Sequence, residues 1–205
     1  TIKNLNSYFR RHQDRIGLIS VSGKKAEILN HPTRNHRVVI NSMLKLQIKG
    51  ATPLGDGMIK ALDMIKIEQT RNSGSKPLVI LLTDCFPEPL TYTCDDIMDE
   101  PLYRHAVRAA ALYRKRRISL LLINPSYVPR DQKLIQTIGP MERRRTPGER
   151  LCDEIIRCSR GQLIPIKTSY HSSQHSDKVL INNENKQMEN ILSSIEATFT
   201  GRQDL

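Results

Sequence analysis

Tryptophan is absent from this sequence, and aromatic residues make up only 4% of it. The stacking platforms on which single-strand nucleic-acid binders lay their bases therefore have little material here. Long apolar runs are missing too. Ile118 to Ile123 is typical of the longest, far short of a membrane span. The four cysteines, Cys85, Cys94, Cys152 and Cys158, fit no common zinc spacing and follow no secretory signal. Reduced thiols in a cytoplasmic protein are the expectation. There is no P-loop, no dinucleotide-type glycine motif and no nucleophile beside a base, so catalysis by this chain is not expected. No internal repeat is present.

Hydrophobic residues supply 38% of the chain and mean hydropathy is −0.45, so part of it is expected to be exposed or loosely ordered. A length of 205 residues suits one packed domain with a tail. What the sequence has in excess is positive charge, a formal +11 with a pI near 9.7. Such a balance steers acidic partners toward the surface, be they nucleic acid, membrane or acidic protein, without choosing among them.

The chain is organised around Lys76 to Asp84. Its centre is a run of aliphatics from Leu78 to Leu82, the pattern of a strand buried on both faces of a parallel sheet, and it ends on a carboxylate. The carboxyl ends of such strands are where open α/β sheets bind their ligands. Upstream, Gly50-Ala51-Thr52-Pro53-Leu54-Gly55-Asp56-Gly57 places a hydroxyl ahead of a helix.

Apolar spacing predicts an opening helix ending near Asp14, then strands over Arg15–Ser22 and Ala26–Leu29 joined at Gly23-Lys24 as a hairpin. A helix from Arg34 to Leu46 and another from about Met58 to Arg71 follow, then strand Leu78–Thr83. Pro101 opens a helix to about Arg117 that packs through Ala106, Ala109, Ala110 and Leu112. Strand Ile118–Ile123, a polar excursion from Tyr127 to Gly148, helix Glu149–Arg160 and strand Gln162–Ile166 complete the order. His171 to Lys186 is Ser-, Asn- and His-rich and expected to be disordered, and a last helix runs from Met188 to Phe199. His171 and His175 are four apart, but no helix is expected to hold them together. Helices alternating with apolar strands predict an α/β fold: a mostly parallel, doubly wound sheet with an antiparallel hairpin at one edge.

Magnesium takes oxygen ligands in near-octahedral geometry, so a Thr hydroxyl and carboxylates from neighbouring loops suit it, and Thr52 and Asp84 are the candidates. As plain structure, Thr-Pro begins a helix and an Asp after a strand caps a turn. Cys85 beside Asp84 is expected to be a small buried thiol with a raised pKa. Cys152 and Cys158 do not share a helix face. Two cationic clusters stand out. Arg114-Lys115-Arg116-Arg117 suits a solvated helix C-terminus, whereas Arg143-Arg144-Arg145 lies in an insertion where a partner surface is the competing reading.

Arg15–Ser22, the Gly50–Leu54 loop with Gly57 and the helix behind it, and Pro77–Asp84 resemble consecutive blocks of a von Willebrand factor type A domain. They look most like the form in the D subunit of magnesium chelatase and its relatives. The resemblance covers about Asp14 to Ile166. It implies that Thr52 and Asp84 are the second and third elements of a metal-ion-dependent adhesion site. The family's first element, Asp-x-Ser-x-Ser, does not occur in this sequence. The expectation is therefore a domain over residues 1–168 lacking its opening strand, a flexible linker over 169–186, and a C-terminal helix over 187–205. Mg2+ binding is expected to be weak or absent without the missing segment.

The resemblance also implies a non-catalytic interaction module. It would serve a complex for inserting metal into a tetrapyrrole, with an ATPase chelatase subunit and a tetrapyrrole-binding subunit as partners. Asp95, Asp96, Arg143, Arg144 and Arg145 are the candidate docking residues. The alternatives are a basic nucleic-acid-binding protein, motivated by charge alone, and a truncated product without a function of its own. In the family's sheet the opening strand lies between the counterparts of Arg15–Ser22 and Leu78–Thr83. Its loss predicts either a groove between those strands or a direct pairing that closes it.

Overall fold

The structure, a computed structural model, describes residues 12–47, 50–91, 94–125, 145–165, 191–193 and 195. The expected opening helix, residues Arg143 and Arg144, and His171 to Lys186 lie outside the described residues.

Strands β1 (Ile16–Ser20) and β2 (Glu27–Thr33) pair antiparallel, with Ile19 opposite Ile28 and Ser20 opposite Glu27. The turn between them passes through Gly23 at φ +89, a value that suits glycine. β2 runs on to Thr33 rather than stopping at Leu29, because Asn30 pairs with Leu18 and Thr33 with Ile16. Pro32 is tolerated inside it because β2 is an edge strand, where a missing N–H costs no ladder bond.

Helix α1 (His36–Leu44) and helix α2 (Leu54–Arg71) follow. In α2, Leu54, Met58, Ala61 and Leu62 recur at helical spacing and are all buried. Asp56 lies in its first turn, where a carboxylate complements the helix dipole, and its Oδ2 accepts from Ala26 N at 2.7 Å. That bond, with Gly23 N donating to Ala51 O at 2.8 Å, fastens the hairpin to the loop that carries Thr52.

Strands β3 (Leu78–Leu82), β4 (Ser119–Asn124) and β5 (Gln162–Pro165) form a parallel sheet in that order. Helix α3 (Pro101–Arg116) connects β3 to β4, and helix α4 (Pro147–Ser159) connects β4 to β5. Pro101 starts α3 as expected, and Ala106, Ala109 and Ala110 are buried. The α4 helix begins earlier than its apolar spacing predicts. Thr146 and Glu149 form a reciprocal capping box there: Glu149 N donates to Thr146 Oγ1 at 3.2 Å and Thr146 N to Glu149 Oε2 at 2.9 Å.

The core has two sides. On one, Leu120 and Leu122 of β4 join Met58 and Leu62 of α2, Tyr103 and Tyr113 of α3, and Leu151 and Ile155 of α4. On the other, Leu121 and Ile123 meet Ile164 of β5 and the helical residues Ile191 and Ile195. β4 is thus buried on both faces, as its aliphatic run predicts.

β3 is not. Of its residues only Leu81 is buried, and Leu82 is 63% exposed. The reason is pairing: β3 has β4 on one side and, among the described residues, no strand on the other. Thr83 N donates to Ile123 O at 3.1 Å, so by the two-residue alternation the amides of Val79 and Leu81 also face β4, and those of Ile80 and Leu82 face the open edge. The hairpin and the parallel sheet are separate sheets, and no β1–β3 ladder closes the space between them. Helix α2 reaches both. A Cβ on Gly17 of β1 would meet Met64 Cε at 2.7 Å, and Leu81 of β3 shares a cluster with Leu54, Met58 and Leu62. Of the two predicted arrangements, direct pairing of β1 with β3 is not found among the described residues.

Candidate functional site: the loops at the carboxyl end of the parallel sheet

The end of β3 delivers Asp84 to the surface, and the end of β4 delivers Asn124 to the interior. Asp84 is exposed, and its Oδ1 accepts from Phe86 N at 3.1 Å, a turn-capping bond. Thr83 Oγ1 accepts from Cys85 N at 3.0 Å. Cys85 adopts φ +59, a left-handed conformation that is uncommon outside glycine, and it is completely buried. The backbone is held there by long-range contacts. Asn124 Nδ2 donates to Asp84 O at 3.2 Å, and Gly148, at the start of α4, packs so closely that a Cβ on it would lie 2.6 Å from the same carbonyl.

Thr52 comes to this rim through its backbone. Its N–H donates to Glu88 O at 3.1 Å, on the loop that Asp84 begins, and its own carbonyl accepts from Leu54 N at 2.9 Å as α2 starts. The two candidate residues therefore sit on loops bonded to one another.

Beneath the rim, Asn124 Nδ2 lies 3.0 Å from Cys152 Sγ. The neighbouring Cys152 thiol, burial and the Asp84 carboxylate together push the Cys85 pKa far above the usual thiol range. Cys85 is thus the buried thiol its neighbours predicted, and no disulfide joins any two of the four cysteines. Tyr103 is fully buried and its hydroxyl has no hydrogen-bond partner among the described residues. Its pKa is pushed up to about 12, by burial first and then by Asp84, Cys85, Glu100 and Glu88. Glu100, also buried, accepts from Thr91 N at 2.9 Å and Thr91 Oγ1 at 2.7 Å. Sequence spacing offered no signal for this arrangement, because its members come from four separate segments.

Thr52 and Asp84 are two oxygen donors where Mg2+ takes six ligands, and among the described residues no three acidic, His or Cys side chains cluster at metal-binding range. Asp84 Oδ1 already serves its own turn. The residues present do not by themselves fit a magnesium shell.

The candidate docking residues divide. Asp95 is exposed. Asp96 caps a single 3-10 turn, Ile97–Asp99, by accepting from Met98 N at 2.9 Å, and it pairs with Arg150 of α4 at 2.8 Å. The Arg150 hydrogen bond holds its carboxyl below the usual range. Arg145 pairs with Asp153 on α4. Asp96 and Arg145 are thus both tied to one helix. The Arg114-Lys115-Arg116-Arg117 cluster is the exposed end of α3, with Arg117 at φ +54 as its C-cap.

Residues 2–86 match the family model described as von Willebrand factor type A domain. The Mycobacterium tuberculosis (strain ATCC 25618 / H37Rv) protein named "Uncharacterized protein Rv2850c" is 29% identical over 94 residues, which are 44% of this chain and 15% of that protein. The match therefore spans only a small part of that relative. Among solved structures, the SpRpn10 VWA domain superposes with a TM-score of 0.53 at 14% identity, covering 83% of this chain and 77% of that one. BatB from Bacteroides thetaiotaomicron, described as a conserved hypothetical protein, gives 0.48 at 15% identity over 92% and 88%. The α/β architecture and the superposition give this chain a fold of the von Willebrand factor type A kind, and residues 2–86 match that family's model.

Proposed function

We propose that this chain is a non-catalytic protein-interaction module that docks partners at the rim formed by the Thr52 and Asp84 loops. The observation that carries the reading is the Thr52 N–H bond to Glu88 O, which holds the hydroxyl-bearing loop against the loop that Asp84 opens. Two oxygen donors on adjoining loops at the ligand-binding end of a parallel sheet form part of a cation-dependent docking site. Mg2+ binds this chain weakly or not at all. Thr52 and Asp84 would hold such a cation only together with an Asp-x-Ser-x-Ser segment, and the bound ion would offer a position to an acidic side chain of a partner.

The assembly served is of the magnesium-chelatase type, with an ATPase subunit and a tetrapyrrole-binding subunit doing the chemistry in the cytoplasm. Asp95, Asp96, Arg143, Arg144 and Arg145 are the further residues assigned to partner docking.

Titration calorimetry with Mg2+, run on the chain alone and on a version fused to an Asp-x-Ser-x-Ser strand, tests the site. Weak or no heat is expected for the first and Thr52-dependent binding for the second. Tight, Thr52-dependent binding by the chain alone overturns the dependence on the added segment. Failure of the fused version to bind overturns the site. Pull-down of an ATPase chelatase subunit by the fused version, lost in Asp84→Ala and in chelator, tests the assembly.

A further inference from the structure

We infer that the outer seam between α3 and α4 is a second docking surface, separate from the rim, that takes an acidic peptide segment carrying an apolar side chain. A groove of about 370 Å³ runs there, lined by Met98, Arg104, Val107, Arg108 and Glu154. Met98 and Val107 supply half-buried apolar surface to it, and Arg104 and Arg108 are exposed beside them.

Charge bookkeeping along this seam is one-sided. Arg104 and Arg108 are one turn apart on α3, both exposed, and neither has an ion-pair partner among the described residues. Arg114, in the last turn of α3, is near enough to Cys158 of α4 to act on its thiol. The carboxylates of Glu154 and Asp96 are already engaged. Arg157 holds Glu154 through two hydrogen bonds, Nε to Oε2 at 2.9 Å and a second to Oε1, and Arg150 holds Asp96 at 2.8 Å. Both carboxyls are kept below their usual range by those arginines. Arg104 and Arg108 therefore stay available beside the half-buried Met98 and Val107.

A peptide fits this chemistry better than a phosphate backbone. The Met98 and Val107 floor gives an apolar side chain something to cover, which a nucleic-acid strand does not use. Bidentate Arg–carboxylate bonds match what Arg104 and Arg108 present. The net charge of +11 draws such a segment in before contact.

The test is fluorescence anisotropy of the full 205-residue chain with a labelled peptide of interleaved glutamates and leucines. The comparators are the same peptide with alanines for leucines and a short DNA duplex. Expected are binding that weakens with salt, a loss of about tenfold in Arg104→Ala/Arg108→Ala, the scale of two charge pairs, and weaker binding of the alanine peptide. Removing equal charge at Arg71 and Lys76, exposed and outside the groove, should change affinity less than about twofold. No binding at low salt overturns the inference, as does equal loss in both double variants or a duplex that binds through the same arginines more tightly than the peptide. All four positions are exposed, so unchanged melting temperatures show that the variants are folded. Thr52→Ala and Asp84→Ala should leave peptide binding intact, so failure of the groove and failure of the rim are told apart.

Discussion

The side chain of Asn124, at the last position of β4, donates to the backbone carbonyl of Asp84, 3.2 Å away, just past the end of β3. Neighbouring parallel strands are thus tied together beyond their ladder by a side chain, at the point where the candidate rim begins. The same Nδ2 reaches Cys152 Sγ, so α4 is drawn into the junction.

Replacing Asn124 with Ala should therefore leave a buried carbonyl short of a donor and cost about 1–3 kcal/mol in a urea unfolding experiment. Alkylation of Cys85 and Cys152 should accelerate in the same variant, followed by mass spectrometry. Unchanged stability together with unchanged alkylation would show that the junction holds without this side chain.

Gly148 leaves no room for a methyl group, since a Cβ would stand 2.6 Å from the Asp84 carbonyl oxygen and 3.4 Å from that of Cys85. Backbone on both sides must shift, so Gly148→Ala should destabilise by about 1–3 kcal/mol. Gly74, where a Cβ meets nothing within 4 Å, is the control. Gly74→Ala should be neutral or stabilising by up to about 1 kcal/mol through the unfolded state. Equal effects at the two positions would contradict the packing.

Hydrogen exchange should alternate along β3. The amides of Val79, Leu81 and Thr83 face β4 and should exchange slowly, while those of Ile80 and Leu82 face the open edge and should exchange quickly. Uniform protection would place another strand against that edge. Adding a peptide that seats between β1 and β3 should slow Ile80 and Leu82 together with residues of β1.

Alkaline pH should unfold the protein through its buried acids. Tyr103 rises from an ordinary 10.0 to about 12, Tyr113 is raised by burial, and Cys85 is raised from 9.0. In each case the folded state holds the proton longer than the unfolded chain does. The contribution to stability is therefore complete below the ordinary pKa values and lost as pH rises through the folded ones. Urea midpoints should fall steadily between about pH 9 and pH 12. In Cys85→Ala the early part of that fall should shrink, and a flat profile in both proteins would refute the coupling.

Local pattern was enough for several elements. The aliphatic run of β4, the Pro101 start of α3, its alanine face and the Leu54-Met58-Leu62 stripe of α2 follow from side-chain period and backbone chemistry. Those are properties of near neighbours in the chain. The thiol of Cys85 was legible for the same reason, since Asp84 is adjacent.

What the sequence left open was every property set by a distant partner. Leu78 to Leu82 has the composition of a doubly buried strand, yet Leu82 is exposed, because burial of a strand depends on which strands flank it. Asp96 reads as a free acidic loop residue until Arg150, far along the chain, takes its carboxylate. Ile191 and Ile195 become core only by meeting β4 and β5, and Cys85, Cys152 and Asn124 become one junction only when α4 folds back over the strand ends. Period and propensity act over a few residues, whereas these contacts are closed by the whole chain. Strands and helices were therefore readable from local pattern, whereas the folded chain set which edge of β3 is unpaired among the described residues and which carboxylates meet arginines.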